Sequence, residues 1–371
     1  MPFPFYPWAS SGLRFGSLLM PYQSAWPKIG TDTPPNWMIR MKSVHNSWKQ
    51  LQLINKAGLK SFWHSGHARL RRFLLSEEWA IGVVKAPIQS FLDDSFVPMV
   101  TWIGKPCRNS FIADCFGVVD GEERFILVER FTYNGSSRIR SNGKGERRIG
   151  RGHIASIAVD TEGSFLKEVT AIDNGLHMSY PFTIHDRGSW YIVAEELSAN
   201  SLNLYRRSSG GDWKHLKQLL PHAVIDPAVF NHAGRWWMFG TSAGNPCSEL
   251  LIWYADQLEG DWHPHCKNPV RIDQRNARSG GTPFLVGDHL YRPAQNCCET
   301  YGGSVIINQI DELTSNSFSE HAVQEVLPPA NSAYRGGIHT LSALEDWTLI
   351  DAKRHVIIPQ VILRRLIARL S

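Results

Sequence analysis

Four times along the chain, an apolar stretch containing Phe or Pro runs into a short polar turn with Gly and then into a second apolar, aromatic stretch. The copies occupy residues 111–129, 179–195, 225–241 and 281–294. Each reads as a β-hairpin, because two apolar runs flank a Gly-containing turn. A third strand follows each hairpin, over 153–158, 202–206, 251–254 and 304–308. Two of these third strands lead into Gly-Asp-Trp, at 211–213 and 260–262, which points to one packing plan for the repeats. A degenerate fifth copy lies at 337–342, followed by an apolar run over 347–350. Pro181, Pro227 and Pro283 are 46 and 56 residues apart, room for a four-stranded unit in each interval. Hairpins repeating at this interval predict an all-β fold, a five-bladed β-propeller over residues 76–355. Two earlier strands are expected at 79–84 and 99–103. The first should pair with the last blade and close the ring, removing the open edge. Residues 1–75 lack strand periodicity and read as an irregular N-terminal arm, with helices expected over 47–59 and 68–75. Residues 356–371 read as an amphipathic tail forming a short C-terminal helix.

A length of 371 residues allows more than one domain, but a propeller uses that much chain in one. Fourteen tryptophans suit blade packing and sugar stacking equally well. The net charge of +5 is concentrated at Arg69-Leu70-Arg71-Arg72, over 138–151 and at Arg364-Arg365. These read as solvated arms and, for 138–151, a flexible exposed loop. No module that interleaves basic and aromatic residues is present, so a nucleic-acid partner is not expected. The six cysteines form no CxxC pair and fit no zinc spacing. Adjacent Cys297 and Cys298 read as reduced thiols, which suits a reducing compartment. The start of the chain has neither a basic n-region nor a continuous apolar h-region, and no run of about 18 apolar residues exists. The expected location is cytoplasmic, at most peripheral to the inner membrane face. The basic tail is expected to pack on the domain, with weak membrane-surface contact as the second reading.

In a propeller the innermost strands line the central channel, so residues at their starts gather at one end. The candidates are Asp114, His177, Ser179, Tyr180, Asp226, Arg278 and His339, with His153 near a third-strand start. Second-strand ends add Glu129, Glu195, Arg292 and Gln295. Asp114, Glu195 and Asp226 stand out, because a charge at the end of an apolar strand is costly without a partner. Carboxylates converging on one pocket are what glycosidic chemistry needs: one protonates the leaving oxygen while another activates water or attacks. Against this, Asp-Pro at a strand start is also a common turn cap, and a histidine there is commonly structural. A calcium ion on the axis would suit the fold, yet no metal motif supports one, and no cofactor is expected.

Several of these segments carry a specific resemblance: 112–116 (IADCF), 177–182 (HMSYPF), 224–227 (VIDP), 234–239 (GRWWMF), 277–281 (ARSGG), 290–295 (LYRPAQ) and 337–342 (GIHTLS). Together they resemble the N-terminal domain of plant glucosamine inositolphosphorylceramide transferases and its bacterial relatives in polysaccharide biosynthesis, over residues 79 to 355. That domain is similar in turn to the five-bladed propellers of arabinanases, β-xylosidases and fructosidases, which use three pocket carboxylates. The resemblance implies that Asp114 matches the blade-one general base or nucleophile, Glu195 the general acid and Asp226 an orienting carboxylate. It departs at blade two, where the hydrolases place an acid and this chain has Ser179-Tyr180, and at Cys115, where Pro is usual. Glycosyl transfer in the plant protein is attributed to a separate C-terminal domain, for which this chain has no room.

The leading expectation is a carbohydrate-active propeller that hydrolyses or transfers a glycosidic bond in surface polysaccharide or glycolipid metabolism. Asp114, Glu195 and Asp226 would carry the chemistry, while Arg278, Arg292, Gln295 and His177 hold sugar hydroxyls or an anionic group. The alternative is a non-catalytic sugar-recognition domain that supports a separate glycosyltransferase. A protein-interaction propeller is the third class, and it predicts a flat face without a central pocket.

Overall fold

The structure, a computed structural model, describes residues 74–103, 109–133, 138–141, 144–147 and 150–370. The N-terminal arm, the helix expected in it at 47–59 and all but the end of the one expected at 68–75 lie outside these residues. Leu75 opens a strand rather than closing a helix.

Five antiparallel sheets form the blades, each counted from the axis outward. Blade one comprises β3 (Ser110–Asp120), β4 (Glu123–Thr132), β7 (Arg151–Val159) and β8 (Phe165–Ile172). Blade two comprises β9 (Ser179–Asp186), β10 (Ser189–Glu195), β11 (Leu202–Arg207) and β12 (Trp213–Leu220). Blade three comprises β13 (Ile225–His232), β14 (Arg235–Thr241) and β15 (Glu249–Ala255), edged by the short β16 (His263–Pro264) and β17 (Arg271–Ile272). Blade four comprises β18 (Phe284–Val286), β19 (His289–Asn296), β20 (Ser304–Leu313) and β21 (Phe318–Val326). Blade five is composite. Its inner strands are β22 (Ile338–Leu344) and β23 (Trp347–Ile357), and its outer strands are β1 (Leu75–Val84) and β2 (Val100–Ile103) from the other end of the described chain. Trp79 pairs with Lys353, so the early strand closes the ring as expected.

The second strands are continuous apolar runs because both of their faces are covered. On β14, Trp236 and Met238 pack toward blade two, while Trp237 and Phe239 pack toward blade four. On β10, Val193 faces blade three and Ile192 faces blade one. This period-two division sends alternate residues of one strand into two separate cores. Each such buried side chain contributes about 1.5–3 kcal/mol.

The basic stretch over 138–151 is not only a loop. It contains β5 (Arg138–Ser141) and β6 (Lys144–Arg147), paired antiparallel and inserted between β4 and β7. The intervening Asn142-Gly143 is a pair that tight hairpins favour. Helix α1 (Pro359–Leu370) follows β23 after one residue.

Candidate active site

Near the start of four inner strands the ladder slips by one residue. Ala113 pairs with Glu129, but Phe116 pairs with Leu127, so Asp114 and Cys115 share one opposite position. The same slip sets Tyr180-Pro181, Asp226-Pro227 and His339-Thr340 against single residues of their second strands. A bulge of this kind re-aims a side chain. Its first residue is left-handed in blades one to three, with φ of 56° at Asp114, 48° at Tyr180 and 46° at Asp226. Asp tolerates this region, whereas a bulky Tyr rarely enters it. Each such residue costs about 1–3 kcal/mol and persists only where its surroundings over-determine it. Tertiary bonds supply that determination here.

The first network joins blades five and one. Asp351 Oδ1 accepts the backbone N–H groups of His339 (3.1 Å) and Thr340 (2.8 Å). Its Oδ2 accepts the Asp114 N–H at 2.9 Å and lies 2.7 Å from His339 Nδ1. His339 Nε2 faces Asp114 Oδ1 at 3.7 Å, and the imidazole stacks on Trp79 with centroids 3.8 Å apart. Asp114 Oδ2 accepts the Tyr180 N–H at 3.1 Å. Burial pushes the Asp114 carboxyl up to about 6; His339 opposes the rise, while Asp226 and Asp351 add to it. Burial acts on Asp351 in the same direction, but His339 and the N–H donors outweigh it, and its pKa lies below the ordinary value. Two neighbouring carboxyls are thus driven apart, the pattern that separates a proton-exchanging group from a fixed anion.

The second network joins blades three and four. Arg278 Nε donates to Asp226 Oδ2 at 2.6 Å, and Gln295 Nε2 donates to the same oxygen at 2.6 Å. Arg278 also donates to the Pro246 carbonyl (3.0 Å) and the Tyr301 hydroxyl (3.4 Å). Burial works against the Arg278 charge, but Asp226, Tyr301 and Glu195 outweigh it and push its pKa up. Glu195 is fully buried beside this guanidinium, opposite Ser179 in the ladder. The Tyr180 hydroxyl accepts the Gly281 N–H at 2.9 Å, linking blades two and four across the axis.

A third pair flanks these. His177 Nδ1 accepts the Gly152 N–H at 2.8 Å, and Nε2 lies 3.7 Å from Glu129 Oε1. A Cβ at Gly152 would stand 2.3 Å from that carboxylate and 2.6 Å from the Met178 carbonyl oxygen, so only glycine fits.

The structure therefore brings Asp114, Tyr180, Asp226, Arg278, Gln295 and His339 together, with Glu195 close enough to Arg278 to act on its charge and Glu129–His177 alongside. Two candidates do not join them. Arg292 is held in blade four by Glu320 (2.6 and 2.9 Å) and the Asn276 carbonyl (2.6 Å). His153 lies on the third strand of blade one, where burial lowers its pKa and Asp173 and Arg151 are neighbours. Sequence reasoning missed Asp351 and Tyr301. Asp351 carried a signal: it ends the apolar run 347–350, much as Glu195 ends its own.

Asp114, His339 and Asp351 each place one ligand atom within 4.8 Å of the others. Calcium takes about six to eight oxygen ligands. Both Asp351 oxygens are already occupied by N–H donors and the imidazole. The cluster fits a proton relay better than a calcium cage.

The family model described as glucosamine inositolphosphorylceramide transferase 1, N-terminal, matches residues 101–336. Over 219 residues the chain is 30% identical to glucosamine inositolphosphorylceramide transferase 1 of Arabidopsis thaliana, and 30% identical to its counterpart in Oryza sativa subsp. japonica. The match covers 57% of this chain and 27–28% of those proteins, so the chain spans about a quarter of their length. Among solved structures it is similar to a GH43 β-xylosidase/α-arabinofuranosidase from a compost metagenome, at 12% identity and a TM-score of 0.46, covering 68% of this chain and 92% of that one. It is also similar to a family 117 glycoside hydrolase of Zobellia galactanivorans, at 12% identity and 0.44, covering 63% and 74%. At such identity the likeness is one of fold.

Proposed function

Since the chain belongs to the family of the glucosamine inositolphosphorylceramide transferase 1 N-terminal domain, we propose that it is a carbohydrate-active propeller working on a glycosidic bond of a glycolipid or surface polysaccharide. One observation carries this reading: Asp114, strained and buried, has its pKa raised to about 6 beside a His339–Asp351 pair. A carboxyl that titrates near neutrality both gives and takes a proton efficiently. In this reading Asp114 exchanges the proton with the glycosidic oxygen or with water. His339 faces it, and Asp351 holds the imidazole in place. Asp226, held by Arg278 and Gln295, orients the sugar, and Glu195 serves as the second acid.

The test is product analysis by mass spectrometry, with the full chain incubated with glycosylated inositolphosphoryl lipids and with soluble oligosaccharides. Asp114→Asn should lower turnover about 10²–10⁴-fold without lowering thermal stability at neutral pH. Turnover equal to wild type would remove Asp114 from the chemistry. Glu195→Gln asks the same of the second acid.

A second reading, sugar recognition in support of a separate glycosyltransferase, is favoured by Tyr180. It fills in blade two the left-handed position held by Asp114 and Asp226 in their blades. Saturable sugar binding with no product formed would select it.

A further inference from the structure

The end of the propeller that holds the site carries two features the site does not use. The inner strands begin at that end, with Asp114, Tyr180, Asp226 and His339 close to their starts. β23 runs back toward it, Ala352 opposite Ile338, and continues to Ile357 before α1 begins. The β5–β6 hairpin leaves from the same end, between the end of β4 and the start of β7. Residues 138–151 hold Arg138, Arg140, Lys144, Arg147, Arg148 and Arg151 against Glu146 alone.

Helix α1 is anchored at its base, where Ile358 and Val361 are buried. Beyond that its apolar residues turn outward: Leu363 is 58% exposed and Leu366 44%. At about 100° per residue, positions 362, 363, 366, 367 and 370 share one arc, and positions 364, 365 and 369 share another. The first arc is Ile and Leu throughout, and the second holds all three Arg of the helix together with Ala368 and, one turn earlier, the buried Val361. Residues 356–371 contain no acid.

We propose that the site end of the propeller docks on an anionic membrane surface, with α1 lying in the interface. An apolar arc beside a cationic one suits the boundary between headgroups and acyl chains. The charge selects anionic lipid, and the exposed leucines distinguish lipid from a purely polyanionic partner. No described helix is long and apolar enough to cross a membrane. The proposal deepens the glycolipid reading by bringing the site to the surface where such a substrate sits. It is tested by lipid binding alone, independently of turnover.

The experiment is co-sedimentation of the full chain with phosphatidylcholine vesicles, with and without phosphatidylglycerol. Wild type should favour anionic vesicles by about a hundredfold, roughly fivefold per arginine of the helix, and release them as salt rises. The double variant Leu363→Glu/Leu366→Glu should lose at least tenfold in binding with unchanged thermal unfolding, because both side chains are exposed. Arg364→Glu/Arg365→Glu should abolish the preference for anionic vesicles. Equal binding to both vesicle types, or wild-type binding by the leucine variant, overturns the proposal. So does sedimentation velocity showing that the leucines instead hold a second copy, or a protease-footprint change showing that they cover the chain's own residues 1–73. Asp114→Asn should bind vesicles like wild type, which separates failure of the membrane contact from failure of the site reading.

Discussion

Both ends of the propeller contain glycines with positive φ, for different reasons. Away from the site, every blade joins its inner and second strands by two residues, as the pairs Asp120–Glu123, Asp186–Ser189, His232–Arg235, Val286–His289 and Leu344–Trp347 define. The turn glycines Gly121, Gly188, Gly234 and Gly287 would place a Cβ in open space. They serve the tight turn alone. At the site end, a Cβ on Gly281 would lie 1.8 Å from the Leu341 carbonyl oxygen, and one on Gly337 2.2 Å from the Gly302 carbonyl oxygen. There glycine serves close approach, because buried charged networks draw neighbouring backbones together. One end is set by local turn chemistry and the other by contacts between blades, so they should respond to mutation differently.

The largest effect should follow Arg278→Ala, which leaves Asp226 buried without its cation. A loss of about 3–5 kcal/mol is expected by denaturant unfolding; a loss below about 1 kcal/mol would mean that the network does not bind the blades. Gly281→Ala should come next, at about 3 kcal/mol, because backbone atoms must move to admit the methyl.

The pH response of Asp114 should be smaller. Its folded pKa of about 6 exceeds the ordinary value of 3.8. Below pH 4 both folded and unfolded chains hold the proton. Between about 4 and 6 only the folded chain keeps it, so stability is lost as pH rises through that window, by at most about 3 kcal/mol. Asp114→Asn should flatten this fall; identical pH–stability curves for variant and wild type would refute the assignment. Smallest of all, Gly188→Ala should lose about 1 kcal/mol from conformation alone. If it matches Gly281→Ala, the contrast between the two ends is wrong.

The turn-defined end was legible in the sequence. Apolar runs on either side of Gly-containing turns give hairpins, and their recurrence gives the blades. Asp114 and Asp226 were legible as acids at strand starts. Asp351 was harder to find because its role comes from space: it accepts the N–H of a residue 237 positions away. Tyr180 gave no hint of a left-handed backbone, since Tyr does not favour one. Arg292 misled because its partner is distant in sequence: Glu320 holds it within blade four. That Glu320 meets it depends on register shifts between β20 and β21 that no local pattern encodes. The hairpin at 138–147 was hidden by its charge, although Asn142-Gly143 marked the turn.

The closure of blade five also sets a timetable for biosynthesis. Glu77 on β1 meets Lys353 on β23 across 276 positions of chain. At about 5–20 residues per second, roughly 15–55 s separate the emergence of the two. During that interval β1 has only β2 as a described sheet partner, and the ring stands open beside a nearly complete set of blades. Such an edge invites pairing with other chains. The blades can form in order as they emerge, but the joint that makes them one body needs the last strand of the ring, so ribosome-bound intermediates are where this fold is most exposed to aggregation.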